Sequence, residues 1–300
     1  AGGGRAIFQR GWLSSGGRIA RMRRNRGTAT MPKTFRHLLA AAGVMACAAA
    51  FSLSVAAQSP MPSQNRSGTP VDLELVLLAD ATGSIDDREI FFQRQGYADA
   101  ITDPDILAAI ALGHDGRIAV TYVEWGDQHS QEIVAPWTII DGPEAAVRFA
   151  AVLTSTPRKA FGRNAIGSAI TFAHLLIESN NINGFRRVID FSGDSANSWN
   201  GIDVEVARQA ALAADIVING LAILCRGCSG RPVYYDLEEA YRRDIIGGPA
   251  AFVVTADDME SFATAVRKKL LLEIAGVPDE ETFRQRLAAA ETTAPVKRVD

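Results

Sequence analysis

The chain has 300 residues, of which 47% are hydrophobic and 22% charged, and this is enough for one folded domain of about 200 residues. Its formal net charge is -3, but residues 1–57 contain nine of the 31 basic residues and none of the 34 acidic ones, so the remainder carries 22 basic and 34 acidic residues, a charge of -12. Such an acidic surface argues against nucleic acids and anionic membranes as partners.

Residues 31–57 have the pattern of a secretory signal peptide. Lys33 and Arg36 form a basic start, Leu38–Val55 an apolar middle, and Val55–Ala57 a small-residue cleavage site. This pattern predicts export, so we expect the mature protein to be periplasmic or secreted.

Two neighbouring segments complete the amino-terminal region. Residues 1–30 are rich in Gly and Arg, and we interpret them as a leader or as a misassigned start upstream of Met31. Residues 58–70 form a polar linker without apolar periodicity. Retention of the apolar segment as a membrane anchor, or lipidation at Cys47, is a less favoured alternative to soluble export.

From residue 71 to 275, apolar runs alternate with segments of helical period. The predicted strands are Val71–Ala79, Arg117–Trp125, Gln131–Ile140, Arg187–Ser192, Ile216–Leu224 and Ala251–Thr255. The predicted helices are Ile85–Ala100, Pro143–Leu153, Ala165–Ser179, Val204–Ala214, Tyr235–Arg243 and Met259–Ala275. A short turn joins the second and third strands, so these two should pair antiparallel.

This alternation predicts a doubly wound α/β fold: a mostly parallel central sheet with one antiparallel edge strand and helices on both faces. The carboxy-terminal tail, residues 276–300, contains one short amphipathic segment, Glu281–Ala290, and we expect its end to be disordered.

Two cysteines, Cys225 and Cys228, remain after the predicted cleavage. A structural zinc site needs four ligands, and no second Cys or His pair stands at metal-binding spacing. A redox pair needs a helix start, whereas Gly227, Gly230 and Pro232 indicate a loop. In an oxidising compartment we therefore expect a local disulfide between the two.

The segment Asp80–Ser84, with the sequence Asp-Ala-Thr-Gly-Ser, directly follows the apolar run Leu73–Ala79. A carboxylate with hydroxyls two and four residues later, in a turn leaving a buried strand, is typical of a site for a hard divalent cation. Two more polar segments, Gly162–Gly167 and Val188–Asp194, should reach the same carboxyl edge of the sheet. The three segments together predict one cation site.

These segments resemble the von Willebrand factor A family. Val71–Asp80 followed by Ala81–Ile85 is similar to the family's first strand and loop almost position by position, and the resemblance spans residues 71–275. The best match is to an uncharacterised bacterial exported subfamily. The resemblance implies a metal-ion-dependent adhesion site, with Asp-x-Ser/Thr-x-Ser in the first loop, Thr in the second and Asp in the third.

Mapped onto this sequence, the resemblance implies Mg²⁺, or Ca²⁺ or Mn²⁺, held by Asp80, Thr82, Ser84, Asn164 and Asp194. Asn164 departs from the pattern because the family usually has Thr there, but its amide oxygen is also able to ligate a cation or a bound water. Asp190 lies on the same face of its strand as Asp194 and could support the site.

The resemblance also implies a role in protein binding, without catalysis or a small-molecule substrate. In the family, an acidic residue of the bound protein completes the metal shell. Trp199 and Arg163 are candidates for the rim of such an interface.

Three alternatives remain open at the level of sequence. Asp80 and Asp194 could cap the helices that follow them. The same face could dock a partner without an ion. A Mg²⁺-dependent hydrolase or phosphatase could use Asp80 as a nucleophile, but such phosphatases resemble Asp-x-Asp, and the second carboxylate is replaced here by Thr82.

Overall fold

The computed structural model describes residues 67–224 and 234–293. Within them, six strands form one sheet in the order β3-β2-β1-β4-β5-β6, and every neighbouring pair is parallel except β2 and β3. The strands are β1 Thr69–Asp80, β2 Ile118–Trp125, β3 Gln131–Ile140, β4 Ile182–Gly193, β5 Val217–Ile223 and β6 Val253–Ala256. The predicted doubly wound sheet with one antiparallel edge strand is confirmed.

Eight helices accompany the strands in the described residues. They are α1 Asp87–Ile101, α2 Pro104–Ala111, α3 Pro143–Ser155, α4 Ile166–Glu178, α5 Val204–Ala213, α6 Leu237–Asp244, α7 Met259–Ala275 and α8 Glu280–Thr293. The sequence interpretation missed α2, although Asp103 caps it and Pro104 occupies its first turn. The tail segment predicted at Glu281–Ala290 is longer than expected and forms α8.

Alternation along β1 divides the core between the two faces of the sheet. On one face, Leu75 and Leu77 pack with residues of α1, α2, α3 and α7, including Tyr97. On the other face, Val76 and Leu78 pack with residues of α4, α5 and α6. All of these side chains are buried, and each stabilises the fold by about 1.5–3 kcal/mol relative to full exposure. The sheet is therefore a rigid base for its loops.

The topology brings the polar loops to one edge. β1 lies between β2 and β4, so connections leave it in opposite directions and open a crevice at its carboxyl end. Ala79 is in register with Ser192, which places the end of β1 at Asp80 beside the end of β4 at Gly193. The first and third predicted site segments are thus neighbours by strand register alone.

Several predictions concern residues outside the described part of the chain. The leader, the signal peptide, most of the linker and the disulfide between Cys225 and Cys228 fall there. None of the helices within residues 67–224 and 234–293 has both the length and the apolar character needed to cross a membrane.

Candidate metal centre

The first loop leaves β1 at Asp80, whose side chain is fully buried. Its Oδ1 accepts a hydrogen bond from the Thr82 N–H at 2.8 Å, which closes a tight turn. The same turn brings Thr82 Oγ1 and Ser84 Oγ to 3.1 Å from each other. Asp80 Oδ2 accepts no well-formed hydrogen bond within the described part of the chain. A buried carboxylate oxygen is therefore left available next to two hydroxyls.

The third loop approaches this oxygen closely. A Cβ atom placed on Gly193 would lie only 2.9 Å from Asp80 Oδ2, so glycine is needed for the two loops to meet. Asp194 follows Gly193 and is also buried. Its carboxylate interacts with the Ser84 hydroxyl, and its charge acts on Asp80. Two carboxylates and two hydroxyls thus converge from the first and third loops.

Burial raises the pKa of Asp80 to about 8, and the charge of Asp194 adds to this effect, while hydrogen bonds from Thr82 oppose it. Burial also raises the pKa of Asp194, with the nearby charge of Glu89 acting in the same direction and the Ser84 hydroxyl lowering it. Neighbouring buried carboxylates cannot both be ionised cheaply without a cation. The pair favours either a bound proton or a bound cation.

The donor set fits a hydrated divalent cation. Mg²⁺ prefers oxygen ligands and keeps several waters, so one or two carboxylates with hydroxyls suffice. No cluster of three or more His, Cys, Asp or Glu side chains suited to a metal occurs in residues 67–224 and 234–293. The arrangement therefore differs from a zinc site of Cys and His and from a calcium cage of many carboxylates.

The second loop joins the first through its backbone. The Gly83 N–H donates to the Gly162 carbonyl at 2.8 Å. Gly162 has φ of 116°, and a Cβ atom there would lie 2.6 Å from Asp127 Cβ, so only glycine fits. Asn164, two residues later, is buried at the same edge. Its main-chain carbonyl accepts a hydrogen bond from the Trp199 N–H at 2.7 Å.

The predicted rim residues come together on the outside of this edge. Trp199 is 66% exposed, and the guanidinium of Arg163 lies 5.8 Å from the centre of its ring. This distance allows a cation–π contact. Since the Trp199 N–H donates to the Asn164 carbonyl, the backbone that carries this ring is fixed relative to the second loop.

Asp190 belongs to a different cluster. Its Oδ1 lies 2.6 Å from Nζ of Lys269 on α7, and that same Nζ lies 2.5 Å from Oε1 of Glu273. Asn219 donates to Glu273 at 2.9 Å. These charged groups are buried in the core face covered by α7, so the contacts of Asp190 are with this helix.

Arg158 is a residue whose role the sequence did not reveal, because it contacts the first loop directly. Its side chain is only 11% exposed. Its Nη2 donates to the carbonyls of Ala81 and Thr82 at 2.8 and 3.2 Å, and its Nη1 donates to the carbonyl of Ile85 at 2.9 Å. The remaining donors reach Ala160 and Asp87. All five N–H groups of the guanidinium are thus used.

We expect Arg158→Ala to weaken Mg²⁺ binding at least tenfold, because the carbonyls of the first loop lose their donors and the two hydroxyls lose their fixed spacing. The loss should also lower the free energy of unfolding by about 2–3 kcal/mol. Calorimetric titration measures the first effect and denaturant unfolding the second. Arg158→Lys should recover part of the affinity.

Arg163→Ala is the matched control, since Arg163 stacks on Trp199 instead of holding the first loop. Equal Mg²⁺ affinities for wild type and Arg158→Ala would show that Arg158 does not position the loop.

Solved structures with similarity to the chain include proximal thread matrix protein 1 (PTMP1) from the mussel byssus, at 13% identity and TM-score 0.46, covering 69% of this chain and 48% of that one. BatB from Bacteroides thetaiotaomicron has 16% identity and TM-score 0.43, with 68% and 100% covered. The vWF domain of the type V pili tip protein Mfa5 from Porphyromonas gingivalis has 8% identity and TM-score 0.45, with 69% and 96% covered.

The chain spans about half the length of the mussel protein. At these TM-scores, the fold is assigned from the strand order of the chain itself. No curated protein matches the chain. One family model covers residues 70–278, which is most of the chain and nearly all of the described domain. The chain belongs to the family described as "Protein of unknown function (DUF1194)".

Proposed function

We propose that this protein is an exported binding module in which a divalent cation bridges the domain to an acidic residue of a partner protein. The ligands would be Asp80, Thr82, Ser84, Asn164 and Asp194. When bound, the cation supplies a positively charged coordination position open to a carboxylate from outside. The observation that carries the proposal is the buried Asp80 Oδ2, left without a well-formed hydrogen bond beside the Thr82–Ser84 hydroxyl pair.

The residues at the proposed site have different roles. Asp80 and Asp194 provide negative charge to hold the cation, and Thr82 and Ser84 provide neutral oxygens that leave part of that charge uncompensated. Arg158 fixes the backbone of the first loop. Because the loops are anchored on the sheet, the partner meets a preformed site.

A catalytic role has less support. A phosphatase with Asp80 as nucleophile would need a nearby acid to protonate the leaving group, and the position two residues on is Thr82. We therefore propose a binding protein without enzymatic activity, acting in the periplasm or outside the cell.

Selection of peptides tests this function. The full chain is immobilised, a displayed random-peptide library is captured in Mg²⁺, and bound peptides are released with EDTA. We expect every enriched sequence to contain Asp or Glu, and replacing that residue by Asn or Gln should weaken binding at least tenfold. Enrichment that survives EDTA would instead support a docking surface that works without metal.

A further inference from the structure

A cavity of about 380 Å³ lies beside the first loop, and two phenylalanines flank it. Phe91 on α1 is 56% exposed and Phe161, just before the second loop, is 54% exposed. Aromatic side chains that line a concavity are a common feature of ligand-binding sites. The volume is at the lower end of the range for a ligand pocket and suits one large side chain.

Arg94 gives this cavity a polar wall. Its side chain is almost fully buried, its Nε donates to Glu124 at 2.7 Å, and its Nη1 donates to the carbonyl of Thr156. Its Nη2 has no hydrogen-bond partner among the described residues. A buried donor without a partner costs about 1–3 kcal/mol, and an acceptor from a ligand would recover this.

Charge selects what that acceptor is. The positive charge of Arg94 is already matched by the buried Glu124, and that of Arg158, which also lines the cavity, is matched by Asp87 at 3.0 Å. A carboxylate that enters the cavity would therefore find no unmatched positive charge, whereas a neutral hydroxyl needs none. The cavity therefore favours a flat apolar group that carries a neutral hydrogen-bond acceptor.

Arg158 ties this cavity to the candidate metal centre. Its guanidinium lies 4.5 Å from the centre of the Phe161 ring, close enough for a cation–π contact, while its Nη2 holds the carbonyls of Ala81 and Thr82. One buried side chain thus fixes both a wall of the cavity and the loop that would carry the cation.

We propose that this cavity receives a tyrosine side chain of the same partner segment whose acidic residue reaches the cation. The phenol ring packs between Phe91 and Phe161, and its oxygen accepts a hydrogen bond from Arg94. The partner is then an exposed segment that presents an acidic residue with a tyrosine nearby. This inference rests on the proposed function for the acidic residue, but the phenol pocket is independent of it.

The pocket is tested alone with p-cresol, which is the side chain of tyrosine, using NMR titration of the full chain without metal. We expect saturable, one-to-one shifts, at least fivefold weaker binding of toluene, which lacks the hydroxyl, and at least fivefold weaker binding to Phe91→Ala and to Phe161→Ala. Leu175→Ala is the matched control, because Leu175 on α4 is 57% exposed, much as Phe91 and Phe161 are, but does not line the cavity. Absence of binding, or equal binding by Phe91→Ala, would overturn the proposal.

The partner role is tested with synthetic peptides that contain one Asp and one Tyr separated by zero to four Gly residues, in Mg²⁺. For the peptide with the best spacing, replacing its Tyr by Ala should weaken its binding to the wild-type protein at least tenfold. The same replacement should change its binding to the Phe91→Ala protein very little. If p-cresol binds and Tyr adds nothing at any spacing, the partner role is overturned. If p-cresol also binds to Asp80→Asn but Mg²⁺ does not bind to the wild type, the metal bridge fails and the phenol pocket stands.

Discussion

Asp80→Asn should stabilise the metal-free protein and at the same time abolish its stabilisation by Mg²⁺. Asn keeps an oxygen that accepts the Thr82 N–H, and it removes a carboxyl group that must either take up a proton or bury a charge beside Asp194 when the chain folds. We expect the metal-free variant to gain on the order of 2 kcal/mol in the free energy of unfolding. At a Mg²⁺ concentration 100 times the Kd, the free energy of unfolding of the wild type should rise by about 2.7 kcal/mol, and that of the variant should not change.

The same substitution should flatten the pH dependence of stability. Because the folded-state pKa of Asp80 is raised to about 8 from 3.8, the folded metal-free protein retains a proton that the unfolded chain has lost between these values. Stability is then greatest below the lower pKa and falls as pH rises through 8, by up to about 1.4 kcal/mol per pH unit. Asp80→Asn removes this contribution. Groups whose pKa is also raised, such as Glu273, still contribute to the pH dependence.

Thermal melts at pH 5 and pH 8, with EDTA and with Mg²⁺, measure all of these effects. Asp203→Asn is the matched control, because Asp203 caps α5 at the surface. A variant that melts below wild type in EDTA, or that is stabilised by Mg²⁺ as much as wild type, would contradict the assignment of Asp80.

Lys269→Met should strongly destabilise the fold. Lys269 is fully buried and contacts both Asp190 and Glu273. Its removal leaves two buried carboxylates without a cation, which typically costs about 3–5 kcal/mol. For a domain of this size, we expect the thermal midpoint to fall by about 10 °C.

Two further variants separate lost charge from lost packing. Lys268→Met is the neighbouring control, and because Lys268 is exposed it should change little. Adding Asp190→Asn and Glu273→Gln to Lys269→Met removes the whole charged cluster and should restore most of the stability. Denaturant unfolding gives the free energies. A loss below 1 kcal/mol for Lys269→Met would show that the cluster is not held by Lys269.

The sequence predicted the sheet and the position of the first loop well because both depend on local patterns. An uninterrupted apolar run that ends at Asp80 indicates a buried strand and its exit. A mostly parallel sheet then follows from the alternation of strands and helices, whereas the order of its strands came only from the structure. The start of β4 was predicted five residues late, because its first part, from Ile182 to Arg186, is mostly only half-buried and carries no apolar alternation.

Residues whose role depends on distant contacts were not recoverable in the same way. Arg158 reaches Thr82 across 76 positions, and nothing in the local sequence distinguishes it from an exposed arginine. Lys269 stands in an amphipathic helix, where a lysine ordinarily faces solvent. The short helix α2 was missed for another reason, since its cap at Asp103 and Pro104 was visible but its eight residues were too few for a clear period.

Calorimetric titration of Mg²⁺ into the metal-free full chain at pH 7, in two buffers with different ionisation enthalpies, tests the central claim most directly. The account predicts one ion bound per chain, with release of a proton from the buried Asp80–Asp194 pair, and no uptake by Asp80→Asn. No binding by the wild type, or unchanged binding by the variant, would contradict a cation site at this edge of the sheet.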